Sequence, residues 1–175
     1  MEDYEDHVQT LFDLDSDRIF SNGMEEHALV ILSEFFKRAE ASVLIFCKNL
    51  LSNVYDHKKV TSALVSALRR GVDVKVIVQE GAEAVKFIEL AKKYNLDPEI
   101  SGVIQIFECT DQKISKVRQN IAIMDKKAFR YEEDKDEPKA LASANQPKIA
   151  NSLSQDFMGF WSILERLQCK CIVNV

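Results

Sequence analysis

Two stretches of strand length, the continuous apolar run at residues 42–47 and the Val- and Ile-rich segment 72–78, constrain the fold of this chain more than any other feature. A continuous run like the first suits a strand covered on both faces, as in parallel sheets. Between them, residues 57–70 place Val60, Leu64, Ala67 and Leu68 on one helical stripe. Arg69, Arg70 and Gly71 close that helix with positive charge and a residue that tolerates a left-handed stop. Strand, helix and strand within about 35 residues make a right-handed βαβ unit with neighbouring parallel strands.

The rest of the chain extends this unit. Ala28, Ile31, Leu32, Phe35, Phe36 and Ala39 recur at helical spacing, so a helix over 23–40 is predicted, capped by Ser21 or Asn22. A third helix is expected over 82–94, ended by Asn95 and Asp97-Pro98, and a third strand over 102–107. Residues 121–124, 128–131 and 140–143 read as further strands. A last helix over 149–168 carries Leu153, Phe157, Phe160, Trp161, Leu164 and Leu167 on one face, with Trp161 as a core anchor. The apolar tail 171–175 is suited to an edge strand or a subunit contact. The predicted class is α/β: a mixed, largely parallel sheet flanked by helices on both faces. An acidic N-terminal arm (1–22) precedes one domain (23–175), since 175 residues bury a sizeable core without staples.

Charge narrows the functional classes. The formal net charge is −5, which argues against a partner such as nucleic acid, whose binding rests mainly on Lys and Arg. No segment approaches the roughly 20 apolar residues of a membrane span. The acidic start (Glu2, Asp3, Glu5, Asp6) is opposite to a signal peptide's, so a cytoplasmic location is expected. Cys169-x-Cys171 lacks a CxxC partner and a nearby His, and Asp13, Asp15 and Asp17 lack the Gly and Glu of a calcium loop. Neither a metal nor a cofactor is expected.

Residues 116–145 carry the candidate chemistry. Arg118-x-Asn120 precedes Asp125 on a predicted strand, and Ser143-x-Asn145 follows a long hairpin. Arg70-Gly71-Val72-Asp73-Val74-Lys75-Val76-Ile77 resembles the helix-to-strand join of phospholipase-D-like domains. The resemblance spans roughly residues 25–168. In that family the active strand bears His-x-Lys, four residues and an Asp, followed later by Gly-Ser-x-Asn. The resemblance aligns Asp125 with the Asp, Arg118 with the His, Asn120 with the Lys, and Ser143 and Asn145 with the Ser and Asn, with Ala142 replacing the Gly. It therefore implies a degenerate anion-binding site of Arg118, Asn120, Asp125, Ser143 and Asn145. No catalytic residue is assigned there, because a guanidinium offers no lone pair to phosphorus. Ser143 and Asn145 are equally suited to satisfying local backbone groups, and Asp125 to a turn.

The family's site lies between two such halves, so the resemblance also implies a homodimer, with its interface around residues 118–125. His57-Lys58-Lys59 contains a His-x-Lys, but it opens a helix, where residues two apart do not share a face. The expectation is a non-catalytic binding, regulatory or scaffold module. Its acidic hairpin 132–138 or N-terminal arm would face a protein partner, and Arg118 is placed to pair with the hairpin. The alternative is a diverged phosphodiesterase or nuclease using other residues, such as His57 with Asp125.

Overall fold

The computed structural model describes residues 2–109, 111–137 and 139–173. Pro138 of the acidic hairpin and residues 174–175 of the tail lie outside the described residues. The elements run α1 (Glu2–Asp13), β1 (Phe20–Asn22), α2 (Glu25–Arg38), β2 (Ser42–Leu50), α3 (Ser52–Tyr55), α4 (Lys58–Arg69), β3 (Asp73–Ala82), α5 (Val85–Asn95), β4 (Ile104–Glu108), a 3-10 turn (Ile114–Lys116), β5 (Asn120–Met124), β6 (Ala128–Glu132), β7 (Ala140–Ser143), α6 (Pro147–Arg166) and β8 (Cys171–Val173). The helix α5 starts later than its periodicity suggests, because β3 continues to Ala82 in register with Leu50 of β2.

One sheet organises the molecule, in the order β1-β7-β6-β5-β2-β3-β4-β8. Only β2–β3 and β3–β4 pair in parallel, and the other pairings among described strands are antiparallel. The expectation of a largely parallel sheet is thus corrected. A continuous apolar run reports cover on both faces and says nothing of direction. The strands β5, β6 and β7 are joined hairpin-fashion, which forces them antiparallel.

Side chains alternate between two apolar layers. Val43, Ile45 and Cys47 of β2 join the layer under α1, α2, α4 and α5, whereas Leu44 and Phe46 join the layer under α6. Trp161 of α6 is buried against Phe107, with ring centroids 4.5 Å apart, and its Nε1 donates to Glu165 at 2.7 Å. The βαβ join is tightly made. Arg70 Nη2 donates to the carbonyls of Phe36 (2.7 Å) and Ala39 (3.1 Å), capping α2, and Gly71 takes the left-handed φ of 87° that ends α4. Gly102 lets the chain before β4 touch this corner. A Cβ there would meet the Leu68 and Val72 carbonyl oxygens at 2.6 Å.

The N-terminal arm packs on the same chain. Val8, Leu11 and Phe12 of α1 are buried in the first layer, and β1 adds an edge strand to β7. Among the described residues no helix is long and apolar enough to cross a membrane.

Candidate functional site

The chain reverses its strand order beside β2. The strand β3 lies on one side, and β5, reached by a crossover from β4, lies on the other. Open α/β sheets bind ligands at such switch points, outside the carboxyl ends of the parallel strands. Here those ends are Lys48–Leu50 of β2 and Gln79–Ala82 of β3. The crossover passes directly over them. Gln79, 5% exposed, donates through Nε2 to the carbonyls of Ile114 (3.0 Å), Ser115 (3.3 Å) and Val117 (2.7 Å), fixing that segment.

A second segment folds across the same ends. The β6–β7 connection, residues 133–139, carries the acidic run. Asp134 pairs with Arg118, Asp136 with Lys48 (2.6 Å), and Lys135 with Glu80 (2.9 Å). Lys135 Nζ also donates to the Ser115 carbonyl at 3.2 Å, and its backbone N–H to the Arg118 carbonyl at 2.6 Å. Two carboxyls respond to these contacts. The Lys135 ammonium holds Glu80 below its usual range, and the Asp136 N–H with the Arg118 guanidinium does the same for Asp134.

Beneath this lid runs a chain of polar side chains. Asn120 Oδ1 accepts from the Lys48 N–H at 2.8 Å, and its Nδ2 donates to Glu132 at 2.5 Å. Arg130 donates to the other Glu132 oxygen at 2.5 Å and to Asn22 Oδ1 at 3.1 Å. The Arg130 and Glu132 side chains are only 11% and 13% exposed. A pocket of about 110 Å³ adjoins them, lined also by Cys47, Asn49 and Tyr55. Burial pushes the Cys47 thiol up to about 12 and the Tyr55 phenol well above its usual value, so both stay neutral. Glu132, expected in the acidic hairpin, instead ends β6 with its side chain largely buried, and the sequence assigns no role to Lys48, Gln79 or Cys47. Nothing local distinguishes them; their neighbours are brought by strand pairing.

The residues aligned by the resemblance do not gather in one place. Arg118 lies at the lid. Asn120 follows it, committed to Glu132 and to Lys48. Asp125 is at the far end of β5, where its carboxylate accepts the N–H groups of Glu40 (2.8 Å), Ala41 (2.9 Å) and Ser42 (2.8 Å). Ser143 faces Phe129, whereas Glu132, the partner of Asn120, faces Ala140. That offset of three residues is about 10 Å along the strand. Asn145 lies further on and donates to Asp15, while Ser143 Oγ donates to the Ser16 carbonyl at 3.5 Å. Ser143 and Asn145 therefore tie the α1–β1 connection to the sheet, away from Arg118. The tight turn at 125–127 makes β6, not β7, the strand beside Asn120. His57 caps α4, accepting from the Lys59 N–H at 3.2 Å, at the end of β2 opposite to Asp125.

An open groove of about 1140 Å³ lies beside the lid, lined by Asn22, His27, Lys116, Arg118, Tyr131 and Lys139 among others. Asn22 Nδ2 is buried without a hydrogen-bond partner among the described residues. His27 stacks on Tyr4 at 3.8 Å, and burial lowers its imidazole below the usual value. An apolar trough of about 410 Å³, between the sheet and α6, continues from the groove through Gln119, Tyr131 and Leu141. Among the described residues no group of three or more His, Cys, Asp or Glu side chains is arranged to hold a metal ion.

Residues 24–166 match the model of the DUF7931 family, described as a domain of unknown function. The chain belongs to this family. The matched span begins just after β1 and stops at the end of α6, so it contains the lid and, apart from Asn22, the polar chain beneath it. No curated protein matches the chain significantly. Among solved structures, Nuc from Salmonella typhimurium, a phospholipase D family member, is similar at a TM-score of 0.62 and 17% identity, covering 90% of this chain and 99% of that one. NucT from Helicobacter pylori is similar at 0.53 and 15%, covering 83% and 94%. TrmBL2, an archaeal chromatin protein, is similar at 0.57 and 13%, covering 83% of this chain and 52% of that one. At these identities the likeness establishes the fold, which is phospholipase-D-like.

Proposed function

We propose that this DUF7931 domain is a non-catalytic phospholipase-D-like module that binds a partner and works as a homodimer in the cytoplasm. The observation that carries the reading is the commitment of the aligned residues. Arg118, which the resemblance aligns with the family's His, is paired with the lid residue Asp134. Asn120 is spent on Glu132 and the Lys48 amide, and Asp125 on three backbone N–H groups. A phosphodiester attacked by imidazole needs a free lone pair and open strand ends, and neither is offered here. The binding surface of this proposal is the groove beside the lid, with Arg118, Lys116 and Lys139 as its cations and Glu133 and Glu137 on its lip.

The dimer of this proposal does not use β5 directly. That strand sits between β6 and β2, and both of its faces are covered, so contact falls to the groove and to the trough beside Tyr131 and Leu141. Incubation with bis(p-nitrophenyl) phosphate and with labelled single-stranded DNA tests the reading. Both substrates are expected to remain intact. Turnover that disappears in His57→Ala or Arg118→Ala would overturn it in favour of a diverged phosphodiesterase.

A further inference from the structure

Cys109 directly follows β4, and Cys169 lies just before β8. The antiparallel ladder of these strands brings them together. Phe107 faces Cys171. Glu108 is then tied to Lys170, through its N–H to the Lys170 carbonyl (2.9 Å) and through its carboxylate to the ammonium. One further step sets Cys109 opposite Cys169. The two backbone N–H groups point away from each other, Cys109 to the Val78 carbonyl (2.7 Å) and Cys169 to the Leu164 carbonyl (3.1 Å). That is the mark of a non-hydrogen-bonded pair, whose Cα atoms are about 4.5 Å apart and whose side chains approach most closely. Disulfides accept Cα separations of roughly 4.4–6.8 Å.

Both sulfurs lie in the layer under α6, the residues 7% and 8% exposed. Burial raises the Cys109 thiol, and the Cys169 sulfur acts in the same direction, as expected of groups within electrostatic reach. The other pairings are poorer. Cys171 opposes Phe107, and its thiol donates to the Val173 carbonyl at 3.0 Å. Residues two apart on a strand lie about 6.6 Å apart along the chain, so a Cys169–Cys171 bridge would need a local bend.

We propose that Cys109 and Cys169 are a redox modification site, forming a cross-strand disulfide under oxidising conditions. The oxidant is a low-molecular-weight disulfide such as oxidised glutathione. One protein thiolate attacks it and releases one glutathione thiol, and the second thiolate then displaces the other. The two protein thiols thus lose two hydrogens in all, and two glutathione thiols form. The bridge would close a loop holding β5, β6, β7 and α6, and would fasten β8, a three-residue edge strand, to β4. With a buried, raised thiol, oxidation is slow at neutral pH and faster as pH rises. This inference does not depend on the proposed function.

The test is oxidation of the folded protein with oxidised glutathione at mildly alkaline pH, alkylation of residual thiols, and mass mapping after trypsin. Cleavage after Lys93, Lys113, Arg166 and Lys170 puts Cys109 in peptide 94–113, Cys169 in 167–170 and Cys171 in 171–175. The expected product joins 94–113 to 167–170, forms equally in Cys171→Ser, and raises the melting temperature by several degrees. A bridge involving 171–175, a mixed glutathione adduct alone, or no cross-link would overturn the proposal. The wild-type and Cys171→Ser proteins suffice to decide, so a serine variant at 109 or 169 that fails to fold leaves the test intact.

Discussion

Asp125 illustrates how one side chain can join two strands and a turn. It and Lys126 take left-handed φ values of 51° and 54°, closing the β5–β6 turn, and the Asp125 carboxylate binds the entry to β2 through three backbone N–H groups. Hydrogen bonds to a charged acceptor are worth about 1.5–3 kcal/mol each, and a left-handed non-glycine residue adds a cost that Asp and Asn bear best. Asp125→Ala is therefore expected to destabilise the fold by about 3 kcal/mol, lowering the melting temperature by roughly 6–12 °C. Asp125→Asn should lose about half of that, since it keeps one acceptor and the φ preference. Thermal melts followed by circular dichroism compare the two. An Ala variant as stable as wild type would remove Asp125 from this role.

Among the elements, the lid is held largely by charge. Its attachments join Asp134 to Arg118, Lys135 to Glu80 and Asp136 to Lys48, at or near the surface. Exposed pairs are weak singly and are screened by salt. Tryptic cleavage after Lys135 or Lys139 should quicken severalfold between low salt and 1 M sodium chloride, and the Asp134→Asn, Asp136→Asn double variant should be cut as readily at low salt. The acid dependence has a definite sign. Folding lowers the pKa values of Glu80 and Asp134, so their contribution is present above the unfolded carboxylate range, near 4, and is lost as pH falls through the lowered values. Hydrogen exchange in residues 133–137, corrected for intrinsic rate, should rise as pH drops from 5 to 3. Exchange in that segment that ignores both salt and acid would show that packing, not charge, holds it.

For the whole molecule, the proposed dimer makes a quantitative expectation. One chain is 20.0 kDa, so light scattering at micromolar concentration should give about twice that mass. Leu141, 47% exposed, lines both the groove and the apolar trough, and Leu141→Glu should return the protein to a monomer with its fold unchanged. A wild-type monomer would leave binding to a different partner as the surviving form of the proposal.

The βαβ unit, the helical stripes and the hairpin of β5 and β6 were legible from the sequence because each rests on local periodicity and on turn chemistry. The continuous run at 42–47 required a strand covered twice, and β2 is one. That Arg118 offers no lone pair to a substrate was also legible, since the chemistry of a guanidinium does not depend on fold. Tertiary structure decided what lies between these pieces. Strand direction followed from connections that put β5 beside β2. The separation of Ser143 and Asn145 from Arg118 followed from ladder register, in which a few residues of chain become about 10 Å of space. Gln79 gained partners 35 or more residues away only when the 114–117 crossover was laid over the strand ends, and Cys109 came near Cys169, 60 residues on, only when β8 was laid beside β4. Periodicity is a property of neighbours in sequence, whereas a site is a property of neighbours in space.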